Sequence, residues 1–182
     1  MSTLWYFAYG SNMQSATLRG RRGIEYHKAV AARLDGWQLV LDKPPLIPVG
    51  GAFANVIPDP AAAVFGVLFA VTEEDLAHLD LTEGVLVGNY ERVPVTVQPL
   101  SPPYAEAVVA YTLTSERRDP QALPTHRYMR LLIEGAQEHG LPNDYIARLR
   151  AVPARAETSE AAEWRPLMDR LMRRRVDGEG EG

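Results

Sequence analysis

Cysteine is absent from this sequence, which excludes disulfides and thiolate nucleophiles. No apolar run approaches the roughly 20 residues that a membrane-spanning helix needs. The first residues lack a basic region, and the apolar run that follows is too short for a signal peptide. Lysine is nearly absent: Lys28 and Lys43 stand against a large excess of arginine. The net charge of -4 does not favour a nucleic-acid surface. The histidines, His27, His78, His126 and His139, show no zinc-ligand spacing. No Walker motif or G-x-G-x-x-G follows a strand. Gly10-Ser11-Asn12 does not match the G-x-S-x-G nucleophile elbow. The expectation left by these exclusions is a cytoplasmic protein without metal, membrane or nucleic acid.

What is present is an ordinary globular composition, 46% apolar and 23% charged over 182 residues, enough for a full hydrophobic core. One domain over residues 1–175 is expected, with 176–182 as a flexible tail. Residues 3–9 read as a buried strand. Residues 27–34 and 37–41 read as two strands joined by Asp35-Gly36, a hairpin-type turn. A Pro- and Gly-rich loop over 43–51 follows. Residues 52–57 and 64–71 read as two more strands, separated by Pro58-Asp59-Pro60. Strands are also expected over 90–97, where Pro94 suggests an edge or bulge, and over 105–113. The last third is helical. One helix is expected over 125–139 with Gly140 as its stop, and a second follows through 152. His126 and His139 are expected on the surface of the first. A final helix is expected over 166–175, ended by Arg173-Arg174-Arg175, whose charge suits a helix C-terminus. Its stripe of Trp164, Leu167, Met168, Leu171 and Met172 suits a surface-packed helix or a homodimer contact. This layout is α+β, with a mostly antiparallel sheet curled toward a barrel.

Two places carry chemistry. The first is the run Leu4-Trp5-Tyr6-Phe7-Ala8-Tyr9, which stops at Gly10-Ser11-Asn12 before a helix-compatible stretch over 13–18. Strand, tight turn and helix start together form an anion cradle. Glycine lets the backbone turn and lets a ligand approach, and free N–H groups point at what lies above. Ser11 and Asn12 also suit an N-cap. The second place is Glu83. Thr72-Glu73-Glu74-Asp75 has the capping-box pattern, so a helix starts there. Leu76, Leu79 and Glu83 then share one face, spaced by three and four. The leucines mark that face as inward. A carboxylate on an apolar face resists ionisation, and a raised pKa would suit a general acid/base near neutrality. The alternatives are a Glu that reaches solvent or one that pairs with an arginine. Asp80, one turn earlier, is a candidate partner, competitor or surface charge.

Taken in order, Tyr6-Phe7-Ala8-Tyr9-Gly10-Ser11-Asn12, Gly50-Gly51 and Val64-Phe65-Gly66-Val67-Leu68 resemble the gamma-glutamylcyclotransferase family. So does Leu79-Asp80-x-x-Glu83-Gly84-Val85 with Gly88-x-Tyr90. Gly135-Ala136-x-Glu138-x-Gly140-Leu141-Pro142-x-x-Tyr145 looks like that family's helix pair after the barrel. The resemblance runs from about residue 6 to 152. It implies a small curled β-barrel with flanking helices. It also implies an intramolecular acyl transfer: the α-amine of a gamma-glutamyl group attacks its own γ-carbonyl, giving 5-oxoproline and a free amine or amino acid. The attacking atom belongs to the small-molecule substrate, and no cofactor is implied. Glu83 would move the proton. Tyr6, Phe7, Ala8, Tyr9, Gly10, Ser11 and Asn12, with Tyr90 and Tyr128, would bind the substrate. Within them the backbone N–H groups of Gly10-Ser11-Asn12 would hold the α-carboxylate, and the tyrosines would wall the pocket. Asn12 looks closer to the branch acting on gamma-glutamyl amino acids than to the amine-acting (Y-G-T-L) or glutathione-degrading (Y-G-S-L) branches. The leaving group stays open. A tailoring cyclotransferase, removing a gamma-glutamyl protecting group from a biosynthetic or carrier-bound intermediate, is a second reading. A non-catalytic small-metabolite-binding module is a third.

Overall fold

The computed structural model describes residues 3–47, 50–102 and 106–172. Five strands close into a barrel in the order β1-β3-β2-β4-β5, with helices packed outside. β1 (Leu4–Ala8) pairs antiparallel with β3 (Phe53–Val71), from Leu4↔Val71 to Ala8↔Val67. β2 (Lys28–Lys43) runs antiparallel to β3, and β4 (Glu91–Pro99) runs antiparallel to β5 (Val108–Thr114). Closure comes from one parallel contact, Tyr6↔Tyr111 between β1 and β5. The barrel is thus mostly antiparallel, as the strand-rich first two-thirds suggests.

The core is aliphatic and aromatic: Phe7, Val56, Val64, Val67, Leu68 and Phe69 are fully buried. Gly66 is where two backbones come closest. A Cβ there would lie 2.3 Å from the Ala8 carbonyl oxygen and 2.7 Å from the Phe7 ring, so only glycine lets β1 cross β3 at this point. Pro94 lies where β4 has only β5 beside it, because β2 bonds β4 only at Ala32↔Pro99 and Arg33↔Gln98. That is a local sheet edge, where a missing N–H costs nothing.

The four strands expected between residues 27 and 71 are in fact two. Asp35-Gly36 is not a hairpin turn. The register holds from Lys28↔Ala70 to Asp35↔Ala63, shifts, and resumes at Trp37↔Pro58. Gly36 has φ +78°, the left-handed conformation that a hairpin turn and a bulge both require, so the local signal is the same for either. Pairing with β3 on both sides decides for the bulge. Pro58-Asp59-Pro60 is likewise an excursion within β3, tightened by Ala61 N donating to Asp59 Oδ1 at 3.0 Å.

The segment after the first turn is also corrected. Residues 13–18 do not form an α-helix. Ser11–Met13 is one 3-10 turn, closed by Met13 N donating to the Gly10 carbonyl at 3.0 Å. Gln14 is extended, and Ala16–Arg21 winds as a π-helix. Among the described residues four α-helices follow: α1 (Glu73–Glu83), α2 (His126–Glu138), α3 (Asn143–Arg150) and α4 (Ser159–Met172). α4 starts before Pro166, with Thr158 Oγ1 accepting from Ala161 N at 3.2 Å in the capping position. The proline lies inside the helix, not at its start. His139 is not on the surface. Its ring is half-buried, edge-on to Phe69 at 5.5 Å. The expected Arg173–Arg175 end, the tail over 176–182 and the strand start at Ala105 lie outside the described residues. Among the described residues no helix is long and apolar enough to cross a membrane.

Candidate active site

A cavity of about 540 Å³ opens at the end of the barrel. The Gly10-Ser11-Asn12 turn, the end of α1 and one side chain of α2 build its inner wall. α1 has its capping box: Thr72 Oγ1 accepts from Asp75 N at 3.1 Å, and the Asp75 carboxylate accepts from Thr72 N at 3.3 Å. Leu76 and Leu79 are buried on the face that Glu83 continues. The helix stops directly after Glu83, where Gly84 takes φ +71°. The carboxylate therefore stands at a helix end, aimed into the cavity, with its side chain 12% exposed.

Its surroundings are not the apolar ones that the spacing suggests. Arg22 Nη2 lies 2.8 Å from Glu83 Oε1, and Asn12 Nδ2 donates to the same oxygen at 2.9 Å. The Arg22 side chain is 8% exposed and also donates from Nη1 to the Thr82 carbonyl at 3.1 Å. Both donors hold Oε1. Among the described residues no hydrogen bond engages Oε2. The arginine pairing weighed in the sequence is thus present, and its partner is the residue that caps the end of the π-helical segment. Asp80 is neither partner nor competitor. It pairs with Arg92 at 2.8 Å, away from the cavity; burial raises its pKa, and Arg92 opposes that.

Tyr6, Tyr9, Gly10, Ser11, Asn12, Glu83, Tyr90 and Tyr128 all line the cavity. Phe7 and Ala8 do not; both are buried in the core. Burial raises all four tyrosine pKa values, that of Tyr128 to about 12, so the phenols stay neutral near pH 7. Their hydroxyls divide into two kinds. Tyr9 donates to the Leu113 carbonyl at 2.5 Å and Tyr90 to the Ala54 carbonyl at 2.9 Å, so these two act as fixed walls. Tyr6 accepts from Asn12 Nδ2 at 3.2 Å and Tyr128 accepts from Ala54 N at 3.1 Å. Tyr6 keeps its own proton to donate, whereas the Tyr128 hydroxyl also meets the side chain and backbone of Ser11.

The turn is held in place by close packing. Gly10 has φ -110°, so left-handed geometry is not its reason for being glycine. A Cβ there would lie 3.1 Å from the Tyr128 hydroxyl oxygen. Gly135 on α2 does the same from outside: a Cβ would come within 2.6 Å of Gln14 N and 2.8 Å of the Met13 carbonyl carbon. Asn12 caps no helix. Its Nδ2 serves Glu83 and Tyr6, and its buried Oδ1 has no partner among the described residues.

The mouth of the cavity is apolar. Leu46, Leu81, Leu86 and Val87 line it and are exposed. From α4, Met168, Leu171 and Met172 line it too, so part of the expected stripe faces the cavity. Arg21 pairs with Asp169, and His78 Nε2 lies 2.9 Å from the Arg22 carbonyl oxygen and 3.2 Å from that of Met172. Sequence reasoning missed Arg22, Asn89 and Lys43. The scarcity of lysine was the one signal that could have singled out Lys43. Among the described residues no three His, Asp or Glu side chains gather as a metal site.

The model of the AIG2-like family matches residues 63–149. A gamma-glutamylcyclotransferase of Bos taurus is 30% identical over 152 residues, which cover 81% of this chain and 77% of that protein. This chain belongs to the gamma-glutamylcyclotransferase family of enzymes. The gamma-glutamyl cyclotransferase aclK of Aspergillus oryzae is 28% identical over 165 residues; the match covers 81% of this chain and 60% of the fungal protein's length. A solved gamma-glutamyl cyclotransferase structure shares the fold, with TM-score 0.76 and 22% identity over 93% of this chain and 99% of that one. That likeness accounts for the barrel with its flanking helices.

Proposed function

We propose that this protein is a gamma-glutamyl cyclotransferase that releases 5-oxoproline from gamma-glutamyl amino acids, with Glu83 as general base. The observation that carries the reading is the state of Glu83: one carboxylate oxygen anchored by Arg22 and Asn12, the other unengaged among the described residues, in a cavity. The substrate's α-ammonium sits between Glu83 Oε2 and Asn12 Oδ1. Glu83 takes a proton, and the amine nitrogen attacks the γ-carbonyl carbon. A ring C–N bond forms, Glu83 passes its proton to the departing nitrogen as the amide C–N bond breaks, and the ring nitrogen then sheds its second proton through Glu83 to the released amine, which leaves as an ammonium. No water is consumed. The backbone amides of Gly10, Ser11 and Asn12 receive the glutamyl α-carboxylate, in a turn rather than at a helix N-terminus. The hydroxyls of Tyr6 and Tyr128 are the candidate donors to the carbonyl oxygen as it gains charge. Tyr9 and Tyr90 hold the chain in its cyclising conformation.

Incubation with a panel of gamma-glutamyl amino acids and amines, followed by mass spectrometry for 5-oxoproline, tests the reading. Release from at least one amino-acid derivative is expected. A panel with no 5-oxoproline from any member overturns it.

A further inference from the structure

Lys43 is one of two lysines in the chain, is 1% exposed, and lines the cavity. Its Nζ donates to Asn89 Oδ1 at 2.7 Å and to the Pro44 carbonyl at 3.0 Å, and lies 4.5 Å from the centre of the Tyr90 ring. An ammonium has three protons, and these acceptors take two. Arg117 Nη1 donates to the same Asn89 oxygen at 2.7 Å, while its Nη2 reaches the Pro45 carbonyl at 3.1 Å. Two cations therefore converge on one neutral amide oxygen. Neither makes an ion pair among the described residues. Glu83 is the acidic group whose charge reaches Lys43, and it is already paired with Arg22. A buried cation without a counter-ion is unfavourable, and two side by side more so, unless an anion arrives.

We propose that Lys43, backed by Arg117, is a second anion subsite that binds the α-carboxylate of the amino-acid leaving group. The inference rests on the cyclotransferase reading above. A gamma-glutamyl amino acid carries two carboxylates, one on each side of the scissile amide; a gamma-glutamyl amine carries one. The turn amides take the carboxylate beside the reacting amine, because Asn12 bonds directly to Glu83. The other carboxylate falls to Lys43. Asn89 joins the two regions: its Nδ2 donates to the Glu83 carbonyl at 2.8 Å while its Oδ1 holds Lys43. Lys43 is thus a specificity-determining residue for the leaving group.

The test compares gamma-glutamyl-leucine with gamma-glutamyl-3-methylbutylamide, which has hydrogen in place of the leucine carboxylate. Leucine suits the apolar mouth. Wild type should favour the acid in kcat/KM by about 10- to 100-fold, the worth of a hydrogen bond to a charged group. In Lys43→Met and Lys43→Gln this preference should collapse toward unity, and Lys43→Arg should restore part of it. A preference unchanged in folded Lys43→Met or Lys43→Gln overturns the proposal, as does a wild type that treats both substrates alike. If neither substrate yields 5-oxoproline, the wider panel above decides the cyclotransferase reading separately. Calorimetric binding of gamma-glutamyl-leucine then decides the subsite: a tenfold weaker Kd in Lys43→Gln supports it, and an equal Kd overturns it.

Discussion

Replacing Glu83 by Gln removes one charge of a buried pair, and the cost follows from the geometry. Arg22 Nη2 and Glu83 Oε1 are 2.8 Å apart, with side chains 8% and 12% exposed. With charge centres roughly 4 Å apart and an effective dielectric of about 20, the attraction is about 4 kcal/mol. Desolvation offsets much of this in the intact pair, but breaking one side strands the other charge. Gln still offers an acceptor at the Oε1 position, and Arg22 keeps the Thr82 carbonyl. Glu83→Gln should therefore destabilise by about 3 kcal/mol, the low end for a broken buried pair. Arg22→Met should cost a similar amount. The double variant should cost less than the sum, with a coupling energy of about 2 kcal/mol. Urea unfolding of the four proteins measures the cycle. Coupling below about 0.5 kcal/mol would refute the pair as a structural element. The same cycle disentangles catalysis. Under conditions where every variant is folded, Glu83→Gln should lose at least about 100-fold in kcat, as expected for a missing general base. A folded Glu83→Gln with full rate refutes that role.

Three further outcomes are expected. The Lys43 pKa is pushed down to about 8 by burial and by Arg117, against the opposing pull of Glu83, while Tyr90, whose ring it faces, stays neutral because burial raises its phenol. Raising the pH through about 8 removes the Lys43 proton. The kcat/KM preference for gamma-glutamyl-leucine over its amide analogue should then fall with each further pH unit, and a flat ratio up to pH 10 refutes the assignment. Gly66→Ala should cost more than about 4 kcal/mol or prevent folding, because its Cβ would meet the Ala8 carbonyl oxygen at 2.3 Å; an unchanged urea midpoint contradicts this. Gly135→Ala should destabilise, because its Cβ would meet Gln14 N at 2.6 Å and the Met13 carbonyl carbon at 2.8 Å and this outweighs the gain of up to about 1 kcal/mol in helix propensity, and kcat/KM should fall at least about tenfold as the turn is displaced. Unchanged kinetics would mean that α2 does not position the turn.

Some of this site is legible in the sequence because its signals are local. The Thr72–Asp75 capping box, the three-and-four spacing of Leu76, Leu79 and Glu83, and the stop at Gly84 together carry Glu83 to an inward helix end. Thr125 and Gly140 bound α2 in the same way, and with it Tyr128. These features depend on neighbours within one or two helical turns, so the chain states them without reference to the rest of the molecule. The failures share the opposite cause. Asp35-Gly36 supplies a positive φ, and only β3 lying along both sides makes it a bulge. Pro166 suggests a helix start, and the Thr158 cap overrides it.

The sequence alone determined the α+β class, the ends of α1 and α2 and the inward face that bears Glu83, because periodicity and capping are written in residues close together along the chain. The tertiary structure alone decided what that carboxylate meets. Asn12 and Glu83 are 71 positions apart, yet they share a hydrogen bond. Arg22 reaches the same oxygen from the end of a π-helical segment with no periodic signature, which it caps, and Lys43 meets Arg117 only across Asn89. Such contacts arise when strand pairing closes the barrel and brings distant side chains to one end of it, and no local pattern encodes them.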